Sequence, residues 1–156
     1  MKRSGWVLFA MLVLVVVGAA KAAAQEKHLK KSDLPAAVQK TADEQSKGAK
    51  VLGYASEVEE GKLQYEVETT VNGLSRDVTI APDGSVLEVE QQVAMESLPA
   101  AVRDGLQKAA GAGKISKVES LTKHGTLVAY EAQVKTGGKH SEVQVGPDGQ
   151  PLAHRE

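Results

Sequence analysis

Asp33-Leu34-Pro35-Ala36-Ala37-Val38 is the stretch that decides how this chain is organised, because it returns as Ser97-Leu98-Pro99-Ala100-Ala101-Val102 at an offset of 64. Two more matches follow at an offset of 65: Tyr65-Glu66-Val67 with Tyr130-Glu131-Ala132, and Pro82-Asp83-Gly84 with Pro147-Asp148-Gly149. The extra residue falls between Leu127 and Tyr130, where a β-bulge would absorb it. Agreement at this many spaced positions predicts a tandem duplication.

Each copy has the pattern of one helix followed by four strands. Pro35 and Pro99 suit the first turn of a helix, where the missing N–H costs nothing, and Asp33 or Ser97 can cap it. The strands are predicted at 51–59, 63–71, 74–80 and 86–92, then at 115–121, 127–136 and 139–145, with a short one near Leu152. A unit of about 64 residues makes a marginal core, so the copies should pack together. The predicted fold class is α+β: two tandem repeats, each one helix packed on a roughly four-stranded antiparallel sheet.

The first 24 residues differ from the rest of the chain. Met1-Lys2-Arg3 is a short positive start, residues 6–17 are almost wholly apolar, and Ala22-Ala23-Ala24 offers the small residues that signal peptidase needs. This order predicts a signal peptide at 1–24, followed by a first repeat at 25–93 and a second at 94–156. A retained membrane anchor is the alternative, but the apolar stretch is short for the roughly 20 residues that span a bilayer. We therefore expect a periplasmic or secreted protein that meets the membrane only through this segment before cleavage.

Composition excludes several classes of function. The 156 residues contain no cysteine, which rules out thiolate catalysis, thiolate metal sites and disulfides. The formal charge is −1 and no basic stripe occurs, so nucleic acid is not an expected partner. His28, His124, His140 and His154 are scattered rather than spaced as ligands, and no Gly-x-Ser-x-Gly elbow occurs. The sequence predicts no catalytic residue, no metal site and no cofactor.

The Leu-Pro-Ala-Ala-Val helix start, the Tyr-Glu-Val strand and the Pro-Asp-Gly turn resemble PepSY-like domains described as beta-lactamase-inhibitor-like, in two tandem copies. The resemblance implies a helix on an antiparallel sheet in an exported bacterial protein. It also implies a role in restraining a secreted peptidase or in binding another envelope protein. The chain departs from the inhibitor that names the group, because after residue 24 its only aromatic side chains are Tyr54, Tyr65 and Tyr130. It therefore lacks the aromatic anchors that dominate tight interfaces.

The candidate binding residues lie on the polar sheet faces. Alternation from the Asn72-Gly73 hairpin turn sets Glu68 opposite Asp77, with Glu66 nearby, whereas the second copy has Gln133 opposite Glu142, with Glu131 nearby. One hypothesis is an exported, non-enzymatic module that presents Glu66, Glu68, Asp77, Glu131, Gln133 and Glu142 to an envelope or secreted protein. The alternative is a small-cation binding or envelope-sensing protein that uses the acidic face. A solvated face with no ligand is the third interpretation, since facing surface charges repel only weakly.

Overall fold

The computed structural model describes residues 26–156, so the predicted signal peptide lies outside the described residues. Eight antiparallel strands form one sheet in the order in which they occur along the chain. The elements are β1 (Lys27–Leu29), α1 (Ala36–Gln45), β2 (Lys50–Glu59), β3 (Lys62–Val71), β4 (Leu74–Ile80), β5 (Val86–Gln92), α2 (Ala100–Ala110), β6 (Lys114–Lys123), β7 (Thr126–Thr136) and β8 (Lys139–Val145). Two short 3-10 turns, Lys31–Asp33 and Met95–Ser97, precede the helices.

The predicted fold class of two helix-on-four-strand repeats is wrong, because β5 pairs with β6 and makes the sheet continuous. This pairing runs from Glu88 opposite Lys123 to Gln92 opposite Glu119. Two small sheets would each leave a row of unpaired N–H and C=O groups at an edge, and joining the edges satisfies both rows. The pairing is long-range, so no local pattern indicates it. We call it the β5–β6 seam.

The two ends of the sheet also differ from the prediction. Residues 27–29 pair with β2 as an edge strand, although this Lys-rich stretch carries no strand pattern. The strand expected near Leu152 is reduced to a single bridge between Val145 and Pro151. The hairpin registers are confirmed, with Glu68 opposite Asp77 and Gln133 opposite Glu142.

The predicted bulge is also present. Leu121 pairs with Ala129 and Thr122 with Leu127, which leaves Val128 as the extra residue. It lies between Leu127 and Tyr130, as the change of offset from 64 to 65 requires.

Both helices cover one face of the sheet, and each packs on its own apolar cluster. The first cluster contains Leu34, Val38, Ala42, Val67, Val78 and Ile80. The second contains Leu98, Val102, Leu106, Val118, Ala132 and Val145. Because apolar residues alternate with polar ones along the strands, the opposite face of the sheet carries the polar side chains and stays open.

The Pro-Asp-Gly turns contact the helices directly. Gly84 has a φ of 89°, and its carbonyl accepts a hydrogen bond of 2.6 Å from Thr41 Oγ1 on α1. Gly149, at the matching place in the second turn, packs so closely on α2 that an added Cβ would lie 2.1 Å from the carbonyl oxygen of Ala101. Close contact between the turn and a helix therefore explains the Pro-Asp-Gly motif in both copies.

The helix start follows the prediction only in part. The α1 helix begins at Ala36, with Pro35 at the N-cap position and no side-chain cap. Asp33 instead accepts the backbone N–H of Lys30 at 3.0 Å, which closes the preceding 3-10 turn.

Candidate functional site

The open face of the sheet forms a groove of about 980 Å³ that crosses both halves of the molecule. We call it the acidic groove, because eleven carboxylates and only three cationic side chains line it. The carboxylates belong to Glu57, Glu59, Glu60, Glu66, Asp77, Glu88, Glu90, Glu119, Glu131, Glu142 and Glu156. The cations are Lys117, Lys123 and Arg155. This excess of negative charge in a concave surface favours a cationic ligand.

Three carboxylates from three neighbouring strands meet at the middle of the acidic groove. Asp77 of β4, Glu90 of β5 and Glu119 of β6 each bring one oxygen within 4.8 Å of the others. The first two belong to one half of the chain and the third to the other. The β5–β6 seam therefore creates this cluster, and neither half contains it alone.

Crowding and burial shift the titration of the central acids. Burial, reinforced by Glu119 and Glu88, raises the pKa of Glu90 from 4.5 to about 8. Burial, reinforced by Asp77 and Glu68, raises the pKa of Glu66 from 4.5 to about 7. Desolvation also raises the pKa of Asp77. Near neutral pH, part of the groove is thus protonated, and a bound cation would favour release of those protons.

Two lysines of β6 form ion pairs with acids at the β5–β6 seam. Lys117 Nζ lies 2.6 Å from Glu119 Oε1, and the Glu119 side chain is only 6% exposed. Lys123 Nζ lies 3.7 Å from Glu88 Oε2 across the seam. Of the acids near the middle of the groove, Glu66, Asp77 and Glu90 form no ion pair of this kind within the described residues.

The C-terminal tail, residues 151–156, lies over the second half of the groove. Arg155 Nη2 donates to Glu131 Oε2 and to Glu142 Oε2, each at 2.8 Å. The backbone N–H of Glu156 donates to Gln144 Oε1 at 2.9 Å. A guanidinium group of this chain thus occupies one part of the acidic groove.

Five of the six candidate residues line the groove: Glu66, Asp77, Glu131, Gln133 and Glu142. Glu68 does not, although it faces Asp77 across the hairpin. Its carboxylate lies near Gly53 of β2 and within 4.8 Å of ligand atoms of Glu26 and His28, beside the edge strand β1. The sequence could not indicate this, because β1 itself was not predicted.

Sequence reasoning missed several groove residues: Glu88, Glu90, Lys117, Glu119, Lys123 and Arg155. Alternation along β5 places Glu88 and Glu90 together on one face, which is a signal that could have found them. No such signal exists for Arg155, because residues 151–156 have no strand pattern from which their contacts could be predicted.

The side chains of this site can interact with a ligand through charge and hydrogen bonds. Its lining residues, all within 26–156, are carboxylates, amides, one threonine, two leucines and three cations, with no His, Ser, Cys or Tyr among them. Carboxylate oxygens such as those of Asp77, Glu90 and Glu119 suit ammonium and guanidinium groups, and they are also the ligands of hard cations.

An antiparallel sheet with one helix-covered face and one open, grooved face defines the structural class of this chain. No protein-family model matches the sequence, and no curated protein matches it. Solved structures do match, and the fold they share with this chain is BLIP-like.

Three of these structures, each from a Bacteroides species, show the extent of the match. A BLIP-like protein of Bacteroides fragilis is 16% identical with a TM-score of 0.59, covering 78% of this chain and 85% of its own. A Bacteroides eggerthii protein, provisionally described as periplasmic, is 19% identical with a TM-score of 0.63 and covers 76% and 86%. A DUF2874 family protein of Bacteroides ovatus is 17% identical with a TM-score of 0.60 and covers 76% and 84%. At these identities the comparison establishes the fold.

The described helices are also too short for a bilayer. Across residues 26–156, no helix is long and apolar enough to span a membrane.

Three expectations from the sequence stay predictions: the PepSY part of the resemblance, the signal peptide, and the origin of the chain by duplication.

Proposed function

We propose that this chain is an exported, non-enzymatic binding module of the cell envelope that holds a protein ligand in the acidic groove. The observation that carries the proposal is the groove itself: one continuous polar surface, built from both halves of the sheet, with charged side chains aimed into it. A surface of this size and charge is suited to recognition, and the two helices do not cover it because they pack on the opposite face of the sheet.

Two independent features support an extracytoplasmic location. The first 24 residues have the three-part order of a secretory signal. A protein of the same fold is provisionally described as periplasmic. We place the ligand accordingly among secreted peptidases and other envelope proteins, whose restraint would be the biological result of binding.

The test is affinity capture from the envelope fraction of the source organism, with the protein and one groove variant side by side. Asp77→Lys reverses charge at the centre of the groove, while Glu68→Lys makes the same change on the neighbouring strand outside it. A genuine groove ligand is captured by the wild type and by Glu68→Lys but lost with Asp77→Lys. Equal capture by all three proteins would place the binding surface elsewhere and contradict the proposal.

The cluster of Asp77, Glu90 and Glu119 favours the second candidate function, cation binding on the acidic face, because one oxygen of each lies within 4.8 Å of the others. A divalent cation bound there would raise the Tm at millimolar concentration, and Glu90→Gln would abolish that rise. An unchanged Tm would remove this second candidate function.

A further inference from the structure

The second half of the groove contains a cation at the place where the first half has an acid. The offset of 65 that relates Tyr65 to Tyr130 also relates Glu66 to Glu131, Asp77 to Glu142 and Glu90 to Arg155. Arg155 binds both Glu131 and Glu142, whereas Glu90 adds a third carboxylate beside Asp77. The two halves thus show the same acid arrangement with and without a bound guanidinium.

The path of the tail explains why Arg155 reaches this place. Pro151 bridges to Val145 just as Val86 pairs with Ile80, again at an offset of 65. The tail therefore starts along β8 in the way that β5 starts along β4, but it forms no further strand pairs. The Arg155 side chain is 56% exposed, and the contacts that hold this end of the segment are its two charge-assisted hydrogen bonds, the contact of Glu156 with Gln144 and a 4.0 Å ion pair between Glu156 and Lys123.

We propose that the acidic groove binds an arginine-bearing segment of the partner protein and that the C-terminal tail is a tethered competitor for it. This inference rests on the proposed function and names the chemistry of its ligand. Charge complementarity selects a cationic segment, because the groove holds eleven carboxylates against three cations, one of which belongs to the tail. The guanidinium is favoured over an ammonium, since its forked donors can satisfy two carboxylates at once, as Arg155 does.

Competition requires that the partner segment extend across the seam. Glu66, Asp77 and Glu90, which form no ion pair within the described residues, offer the first contacts, and Glu131 and Glu142 become available when Arg155 leaves. A tail held by an exposed ion pair opens readily, so it would weaken binding without preventing it.

The experiment uses the protein exported and processed by an expression host and purified from the periplasm. The probe is a short fluorescein-labelled peptide of alternating Arg and Ser, and its binding is measured by fluorescence anisotropy at low salt. Peptides with Lys or Gln in place of Arg provide the chemical controls. The variants are Arg155→Ala, Arg155→Lys and Asp77→Asn. Lys40→Ala is the matched control, because it removes one positive charge from α1, on the other face of the sheet.

The expected order follows from the fraction of molecules whose tail is open. Arg155→Ala binds the Arg peptide about fivefold more tightly than wild type, and Arg155→Lys lies between them. Lys40→Ala leaves the affinity unchanged, Asp77→Asn weakens it about threefold, and the Gln peptide does not bind. Raising the salt concentration weakens binding of the Arg peptide.

Three outcomes would overturn the proposal. If Arg155→Ala binds no more tightly than wild type, the tail is not a competitor. If the Gln peptide binds as well as the Arg peptide, the groove does not select its ligand by positive charge. If no protein binds the Arg peptide while envelope capture still depends on Asp77, the ligand chemistry is wrong but the proposed function stands.

Discussion

Replacing Glu90 by Gln should stabilise the protein in alkaline solution and leave its stability nearly unchanged in acid. Burial beside Glu119 and Glu88 raises the pKa of Glu90 from 4.5 to about 8, so the folded state holds this proton more tightly than the unfolded chain does. The stability that the protonated group contributes is complete below pH 4.5 and is lost as the pH rises through 8. Glutamine has the shape of the protonated acid and cannot ionise, so Glu90→Gln escapes that loss.

The magnitude follows from the size of the shift. Each pKa unit corresponds to about 1.4 kcal/mol, so a shift from 4.5 to about 8 sets an upper bound of about 5 kcal/mol. The groove is open to water, which screens the carboxylate, and we expect about 2 kcal/mol at high pH. Near pH 5 the difference should shrink to below about 1 kcal/mol, because this pH lies only half a unit above 4.5, the pKa of the carboxyl in the unfolded chain.

The assay is urea denaturation of both proteins, followed by circular dichroism at intervals between about pH 5 and pH 9. Glu44→Gln on α1 is the control, since it removes the same charge from an exposed position away from the groove. The difference between Glu90→Gln and wild type should grow with pH, while that of the control stays flat. A difference independent of pH would refute the account of Glu90, because it would mean that the group does not titrate in this window.

Three further predictions concern packing and ion pairing. Gly149→Ala should lower the free energy of unfolding by about 2 kcal/mol or more, since the new methyl would collide with the carbonyl of Ala101; an unchanged urea midpoint would contradict this contact. Lys117→Met should cost about 2 kcal/mol by leaving Glu119 buried without its cation, and adding Glu119→Gln should recover part of that loss; a double variant no more stable than Lys117→Met would argue against the pair. Leu106→Ala should cost about 3 kcal/mol in thermal or urea unfolding, because this fully buried side chain leaves a cavity under α2.

Local chemistry allowed much of the fold to be predicted from sequence. The Asn72-Gly73 turn fixes the β3–β4 register, and the opposition of Glu68 and Asp77 follows from it by counting. The change of offset from 64 to 65 predicts the bulge between Leu127 and Tyr130, where the strand pairing leaves Val128 as the extra residue. These features depend on residues that are close in sequence, where turn type and alternation determine the geometry.

The errors arose where distant segments meet. Nothing near β5 or β6 indicates that the two edges pair, so the sheet was expected in two parts and Glu119 was not placed beside Asp77. The sequence therefore predicts the correct face of the sheet for the candidate site but misses some of the residues that line it. Glu68 was placed on the right side of the sheet, but the unforeseen strand β1 lies beside it.

Because the β5–β6 seam builds the acidic groove from both halves of the chain, any binding in the groove would depend on the folding of both halves. The two apolar clusters are separate, so the core under α2 could melt while the core under α1 persists. Such a half-folded chain would still hold Glu66, Asp77 and Glu90 on their strands, yet it would lack the wall that Glu119 and Lys117 provide. Binding would require both cores at once, and a ligand in the groove would couple their unfolding. A proteolytic cut in one half would thereby also abolish binding by the other half.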